Sequence, residues 1–272
     1  MKAAEIFDVQ GLATIVTGAA SGIGLAYSEV MAVNGARVAM LDKDTAALEK
    51  SVGRLKSTGG DVYGAAVDVT DRGAMRLAFD AAAQTFGALD VLFANAGIDA
   101  GPGFLTPEGD RNPEGALENV SDVHWDRIIA TNLSSVFTSL QCAVRHMKTR
   151  RNGRIIVTTS NASIINEPIV GTPYMPAKAA AAHLVRHAAL ELARYNIRVN
   201  AIAPGAFVTN IAGGRLRNAA DRKAFEGRSP MHHIAATQEI MGLALFLASN
   251  ASSYVTGAEI VIDGGCVLGV AD

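Results

Sequence analysis

Tyr174 and Lys178 stand four residues apart where an apolar helical pattern begins. Residues at that spacing are neighbours on one helix face. A free phenol, with a pKa of about 10, is a poor base at neutral pH. A nearby ammonium favours the phenolate, so the pair can serve as a general acid/base toward a hydroxyl. On its own, Tyr-x-x-x-Lys is also an ordinary packing pattern. A second constellation is the run Thr17-Gly18-Ala19-Ala20-Ser21-Gly22-Ile23-Gly24, which follows a β-branched run and opens a helical one. Its glycines let the backbone turn tightly and approach a pyrophosphate, and the helix behind them offers free N–H groups and a positive dipole end. Gly18, Ser21, Gly22, Ile23 and Gly24 are therefore candidate dinucleotide-binding residues, with a plain strand–helix turn as the competing reading. Asp42 ends the next β-branched run, 18 residues after Gly24. A carboxylate there can accept from a ribose 2′-hydroxyl and would repel a 2′-phosphate. A solvated strand-end acid or a helix cap is the alternative, and the neighbouring Lys43 is an opposing charge.

These groups need elements to hold them. Short apolar runs at 12–16, 37–41, 62–67, 89–94, 154–159, 198–203 and 259–262 alternate with amphipathic stretches such as 44–57, 71–86 and 123–148. Strand–helix repetition with near-continuous apolar strands means a parallel sheet covered on both faces. The expected fold is thus α/β, a doubly wound, Rossmann-like sheet of seven parallel strands with helices on both faces. No linker or internal repeat divides the chain, and the expectation is a single domain over 1–272. Two irregular segments follow predicted strands, 98–121 and 206–236, on the side where ligands bind such sheets. They are expected to cover the substrate. Surface insertion or subunit contact is the alternative for each.

The chain has 272 residues, of which 49% are hydrophobic and 18% charged, too apolar for a disordered chain. Its 24 Lys+Arg and 26 Asp+Glu leave a net charge of -2, which points to neither nucleic acid nor anionic membrane as a partner. The charge-free stretches 11–28 and 240–258 are interrupted by glycines and by Ser/Asn, so neither reads as a membrane span. Lys2, Glu5 and Asp8 precede the first apolar run, unlike a signal peptide. Two cysteines, Cys142 and Cys266, read as free thiols in a reducing compartment. The expected setting is the cytoplasm.

The Thr17–Gly24 turn, Asn95-Ala96-Gly97, Ser160, Tyr174-x-x-x-Lys178, Pro204-Gly205 and the closing Asp263-Gly264-Gly265 occur in this order. As an ordered set over nearly the whole chain they resemble the short-chain dehydrogenase/reductase family, in its roughly 250-residue oxidoreductase form. The resemblance implies roles. Tyr174 would be the acid/base and Ser160 would polarise the reacting oxygen. Lys178 would hold the nicotinamide ribose and depress the Tyr174 pKa. Asn132 would hold a water that relays protons from the lysine. Asp68 and Val69 would meet the adenine, and Asn95 and Gly97 would pack beside the cofactor. Pro204, Gly205, Val208 and Thr209 would line the nicotinamide amide side. With Asp42, the expected cofactor is NAD. The resemblance also implies pairing of the helical regions 123–148 and 177–195 across a two-fold axis, and so a homotetramer.

This sequence departs from the family pattern in places. Ser160 lies 14 residues before Tyr174, one more than the commonest spacing, which leaves Thr159 as an alternative. Pro176 falls between Tyr174 and Lys178. Thr172 as N-cap and Pro173 at the first helical position would place it in the first turn, where it is tolerated. His183 and His187 have the i, i+4 spacing of some metal sites, but no Glu follows His183, and a helix-face or subunit contact is the expectation, with no metal. His232 and His233 are read as loop residues or substrate contacts, and the basic run 215–228 as a solvated face. The expected function is NAD-dependent interconversion of a secondary alcohol and a ketone, with a small-molecule alcohol or ketone as substrate. An NADP-dependent carbonyl reductase and a non-catalytic dinucleotide-binding regulator are the alternatives.

Overall fold

Seven segments form strands that all pair in parallel. They are β1 (Ala13–Thr17), β2 (Arg37–Asp42), β3 (Val62–Ala66), β4 (Val91–Ala94), β5 (Gly153–Thr158), β6 (Ile197–Pro204) and β7 (Glu259–Ile262). The computed structural model describes residues 2–211, 214, 216 and 218–269. The sheet order β3-β2-β1-β4-β5-β6-β7 reverses direction between β1 and β4. A crevice opens at such a switch point, outside the carboxyl ends of the strands.

A one-turn helix α1 (Ala3–Ile6) precedes the sheet. Helices α2 (Gly22–Val33), α3 (Thr45–Ser57) and α9 (Met241–Ala248) cover one face of it. Helices α4 (Arg72–Phe86), α6 (Ser135–Arg150) and α7 (Tyr174–Leu192) cover the other, with α5 (Asp122–Ile129) leading into α6. Alternate strand residues feed the two cores, because successive side chains in a strand point to opposite faces. Ile15, Leu41, Leu92 and Ile155 pack with Met75, Phe79 and Met147 on the α4/α6/α7 side. Val16, Met40, Phe93 and Ile156 pack with Met31 and Leu247 on the other, where Tyr27 stacks on Phe93 at 4.6 Å. Local signals set the helix ends. Asp44 caps α3 by accepting from Ala47 N–H, and Asp71 caps α4 by accepting from Gly73 and Ala74 N–H. Gly87, with φ +69°, stops α4.

The stretch 123–148 departs from the expected continuous helix. The chain makes a single π turn at Ala130–Ser134 between α5 and α6. Such a bulge adds one residue to the ladder and rotates the helix beyond it. It turns Asn132 fully inward, at 0% exposure. The buried hydroxyls of α6 are satisfied within the helix: Ser135 donates to Thr131 O, Thr138 to Ser134 O and Ser139 to Ser135 O.

The 98–121 segment is short hairpin and 3₁₀ turn. Gly103 N–H donates to Ile169 O, Leu105 N–H to Pro168 O and Gly171 N–H to Gly101 O. The segment thus lies antiparallel to 168–171, the stretch before α7. The 206–236 segment carries a bridge between Phe207 and Ala235 and the helix α8 (Ala219–Glu226). Arg215 and Arg217 of the expected basic run lie outside the described residues. Among the described residues no helix is long and apolar enough to cross a membrane.

Candidate active site

The glycine-rich turn sits where β1 passes into α2. Gly18 and Gly22 have φ of +65° and +56°, a region costly for any residue with a side chain. A Cβ on Gly24 would strike Gly18 O and the Asn95 amide. Ser21 precedes α2 in an extended conformation but makes no side-chain cap, and no side chain among the described residues accepts from the N–H groups of the first turn. Ile23 packs partly buried against the α2-side core. A backbone cradle with bare N–H groups at a helix N-terminus fits a pyrophosphate.

Two acids stand at the neighbouring strand ends. The Asp42 carboxylate accepts from Ala20 N–H at 2.9 Å and from Asp44 N–H at 3.0 Å, which fixes it against the turn. Its role is not that of α3 cap, which falls to Asp44. Asp68 accepts from the backbone N–H and hydroxyl of Thr70, and these bonds hold its carboxyl below the usual range. Val69 beside it is buried.

Asn95 ties the crevice together. Its amide donates to Thr17 O at 3.0 Å, and its oxygen accepts from the Thr158 hydroxyl at 3.1 Å. Thr17 in turn accepts from Asn95 and Ala96 N–H. A Cβ on Gly97 would lie 3.0 Å from Asn132 Oδ1 and 3.5 Å from Lys178 Nζ, so this glycine lets three elements meet. Asn132 closes on Ile98, with Oδ1 accepting from its N–H at 2.8 Å and Nδ2 donating to its carbonyl at 2.9 Å. On the far wall Val208 N–H donates to Ala235 O, and the Thr209 methyl packs close to Gly22. Pro204 ends β6, and a Cβ on Gly205 would strike Asp263.

Tyr174 and Lys178 open α7. The helix starts one residue later than expected, with Pro173 rather than Thr172 at the N-cap. Pro176 is then the third helical residue, a position where an N–H would have no intrahelical acceptor, so a proline there costs no bond. Lys178 is 3% exposed and donates to Thr158 O at 3.0 Å. Burial lowers its pKa to about 8. Its Nζ lies 5.6 Å from the Tyr174 ring centroid.

The Tyr174 phenol departs from the sequence expectation. Its pKa is raised to about 12, not depressed. Burial is the largest cause, the Ser160 hydroxyl opposes it by hydrogen bonding, and the Asp99 charge adds to it. Desolvation of the buried anion is the dominant influence on this phenol.

Ser160 and Thr159 are separated by the structure. The Ser160 side chain lines a cavity of about 350 Å³ together with Tyr174. Thr159 turns away, its hydroxyl within 2.8 Å of Glu259 Oε1 and 3.1 Å of Ile202 O. Ser163 bonds to Ser160 O and Glu259 Oε1 and also faces away. His183 lies on the exposed face of α7 beside Arg186, and His233 pairs with Glu239 at 3.1 Å.

Among the polar residues of the cavity wall, sequence reasoning did not single out Asp99, Glu167, Arg228 or Ser229, although three of them fall in the segments 98–121 and 206–236 expected to cover the substrate. Asp99 follows Asn95-Ala96-Gly97 closely, and Glu167 lies between Ser160 and Tyr174. Those adjacencies were the available signal. Arg228 and Ser229 sit past an irregular segment, where no period fixes their direction.

A family model described as enoyl-(acyl carrier protein) reductase matches residues 18–267. The 3-oxoacyl-[acyl-carrier-protein] reductase of Thermotoga maritima is 35% identical over 260 residues, spanning 96% of this chain and 99% of that protein. Gluconate 5-dehydrogenase of Gluconobacter oxydans is 31% identical over 265 residues, spanning 97% and 98%. The crystal structure of a gluconate 5-dehydrogenase from Burkholderia cenocepacia, in complex with NADP and tartrate, superposes with a TM-score of 0.87. It is 30% identical and covers 99% of this chain and 100% of that one.

Proposed function

Because the chain belongs to the short-chain dehydrogenase/reductase family, and so is an NAD(P)-dependent oxidoreductase acting on CH–OH groups, we propose that it interconverts a secondary alcohol and a ketone with NAD in preference to NADP. Tyr174 is the proton carrier in this reading. The observation that carries it is the convergence of Ser160 and Tyr174 on one cavity, with Lys178 buried behind the phenol and the glycine-rich turn across the crevice.

Bound nicotinamide supplies hydride acceptance or donation; the chain supplies position and a proton path. The turn from Gly18 to Gly24 and the first N–H groups of α2 hold the pyrophosphate. Asp42 takes the adenosine ribose, Asp68 and Val69 the adenine, and Asn95, Gly97, Pro204, Gly205, Val208 and Thr209 the rest of the cofactor wall. Lys178 holds the nicotinamide ribose. The Ser160 hydroxyl donates to the substrate oxygen and stabilises charge developing there. Tyr174, protonated at neutral pH, gives its proton to that oxygen in reduction. In oxidation it must first lose that proton, and the Lys178 ammonium and Ser160 favour the loss. Asn132, locked to Ile98 in the π turn and close to Lys178 across Gly97, serves the water that passes protons onward.

The cofactor preference rests on Asp42, because a second anion beside this fixed carboxylate is repelled. A relative's bound NADP supports the runner-up, an NADP-dependent reductase. The reading further places the protein in the cytoplasm, as a homotetramer. The test is a panel of secondary alcohols and ketones followed by nicotinamide absorbance with both cofactors. Turnover of at least one alcohol–ketone pair, faster with NAD, is expected. No turnover with either cofactor would leave a non-catalytic dinucleotide binder.

A further inference from the structure

The cavity beside Tyr174 carries polar groups that proton transfer leaves unused. Ser229 lines it at 6% exposure, and its hydroxyl has no hydrogen-bond partner among the described residues. An unpaired buried hydroxyl is destabilising and calls for a partner. Glu167 and Arg228 line the same space. Their one contact, Arg228 Nη1 to Glu167 Oε2, is 3.4 Å, far from the paired fork that arginine and carboxylate form when they satisfy each other. Glu167 is largely withdrawn from water, which pushes its carboxyl up. Next to Tyr174, the Asp99 carboxylate makes no hydrogen bond or ion pair among the described residues. The remaining acids are occupied. Asp263 accepts from Gly265 and Val267 N–H, and Glu239 from Ala236 N–H and His233.

From this arrangement we infer that the cavity takes an uncharged, polyhydroxylated substrate, a polyol or the matching ketose, whose hydroxyls remote from the reacting carbon are held by Glu167, Arg228 and Ser229. The inference rests on the alcohol–ketone reading above. A hydroxyl donates and accepts at one oxygen. Placed between Glu167 and Arg228, it donates to the carboxylate and accepts from the guanidinium, answering both at once. Another meets the Ser229 hydroxyl, and one close to the reacting carbon donates to Asp99. A plain hydrocarbon chain leaves all of these unpaired, which is how a polar site rejects an analogue that lacks the group. A carboxylate substrate would meet Arg228 but also the charges of Asp99 and Glu167. An ammonium would leave the donors of Arg228 facing another donor and a like charge.

The experiment compares a hexitol, the related ketohexose, 2-hexanol, 2-hexanone and a six-carbon aldonate as substrates of the full chain, with saturating NAD or NADH. In the wild type, kcat/KM for the hexitol should exceed that for 2-hexanol by about 100-fold or more. Glu167→Gln and Ser229→Ala should each lower this ratio by roughly tenfold, chiefly through KM for the hexitol. A preference for 2-hexanol, or ratios unchanged in both variants, overturns the inference. So does an equal loss on both substrates, which would make the two residues structural. A preference for the aldonate would make Arg228 a carboxylate anchor and overturn it as well. If no alcohol or ketone reacts with either cofactor, the alcohol–ketone reading itself fails. Calorimetric titration of the hexitol into wild type and Ser229→Ala then still decides the cavity: binding weakened about tenfold supports it, and no binding overturns it.

Discussion

The Asp42 carboxylate accepts a hydrogen bond from Ala20 N–H at 2.9 Å, so the end of β2 is fastened to the middle of the glycine-rich turn. The same carboxylate accepts from Asp44 N–H at 3.0 Å. Its negative charge is therefore fixed in place instead of swinging in solvent, and it guards one site next to the turn.

This fixes the expected effect of Asp42→Ala. The wild type should favour NAD over NADP in kcat/KM by about 100-fold or more, since like charges brought together cost several kcal/mol. The variant should lose most of that preference. It should also bind NAD more weakly, by roughly tenfold, because the turn loses an anchoring bond. Steady-state kinetics with both cofactors measure both effects. A wild type that prefers NADP would show that Asp42 does not select.

The 98–121 insertion pairs with 168–171, the strip that adjoins Glu167 and leads into Tyr174. Replacing 103–117 by a short Gly/Ser link keeps Asp99 and Gly101 but deletes the bonds from Gly103 and Leu105 to that strip. The expected result is a substrate KM raised by about tenfold, the worth of one or two lost hydrogen bonds in placing the strip. Affinity for NAD should stay within about twofold, because the Gly18–Gly24 turn and Asp42 lie on other elements. An unchanged KM would make the insertion a bystander or an assembly contact.

Much of this site was legible in the sequence. Strand-sized apolar runs implied seven parallel strands, because both faces of the sheet are covered and its central strands are buried throughout and mostly apolar. Tyr174, Lys178 and the glycine turn were legible since local spacing defines them. The π turn at Ala130–Ser134 was not. One added residue shifts the helical phase by about 100°, comparable to the width of an apolar stripe, and the same period resumes beyond it, so 123–148 still reads as one amphipathic helix. Only the polarity of Asn132 inside a buried face hinted at it. The Tyr174 pKa was misjudged for a related reason. Sequence shows the neighbouring charge of Lys178, but burial is a property of the fold, and here it is the largest influence on the phenol.

The outward faces of α5 and α7 are apolar in part: Val123 is 80% exposed and Leu190 83%. Phe137 on α6 is 45% exposed and lies along the same side of the sheet. Paired across a two-fold axis these helices would bury that surface. Sedimentation should show a species of about four chain masses, and Leu190→Glu should shift it toward smaller species by putting a charge into an apolar contact. A stable monomer at micromolar concentration would refute the assembly.

The proton chemistry of Tyr174 is the most exposed expectation. Tyr174→Phe keeps the ring and its packing but removes the proton carrier. NAD binding should survive, and turnover should fall by roughly 10²–10⁴-fold, the usual worth of a placed acid/base. The pH profile carries the sign. With the phenol pKa raised to about 12, Tyr174 is protonated at neutral pH and ready as an acid, so reduction should be flat there. Oxidation needs the phenolate and should rise with pH through the accessible alkaline range. Asp99→Asn removes a charge that raises this pKa, so the acid limb for oxidation should move to lower pH, and the rate at fixed neutral pH should increase. Lys178→Ala should weaken NAD binding but leave this limb in place, because the lysine, with its pKa lowered to about 8, is already neutral where the phenol titrates. Fluorescence titration of NAD separates binding from turnover in each variant. A Tyr174→Phe protein with near-normal turnover would remove the phenol from the mechanism. A shift to lower pH in Asp99→Asn, absent from Lys178→Ala, would tie the titration to the phenol beside Asp99.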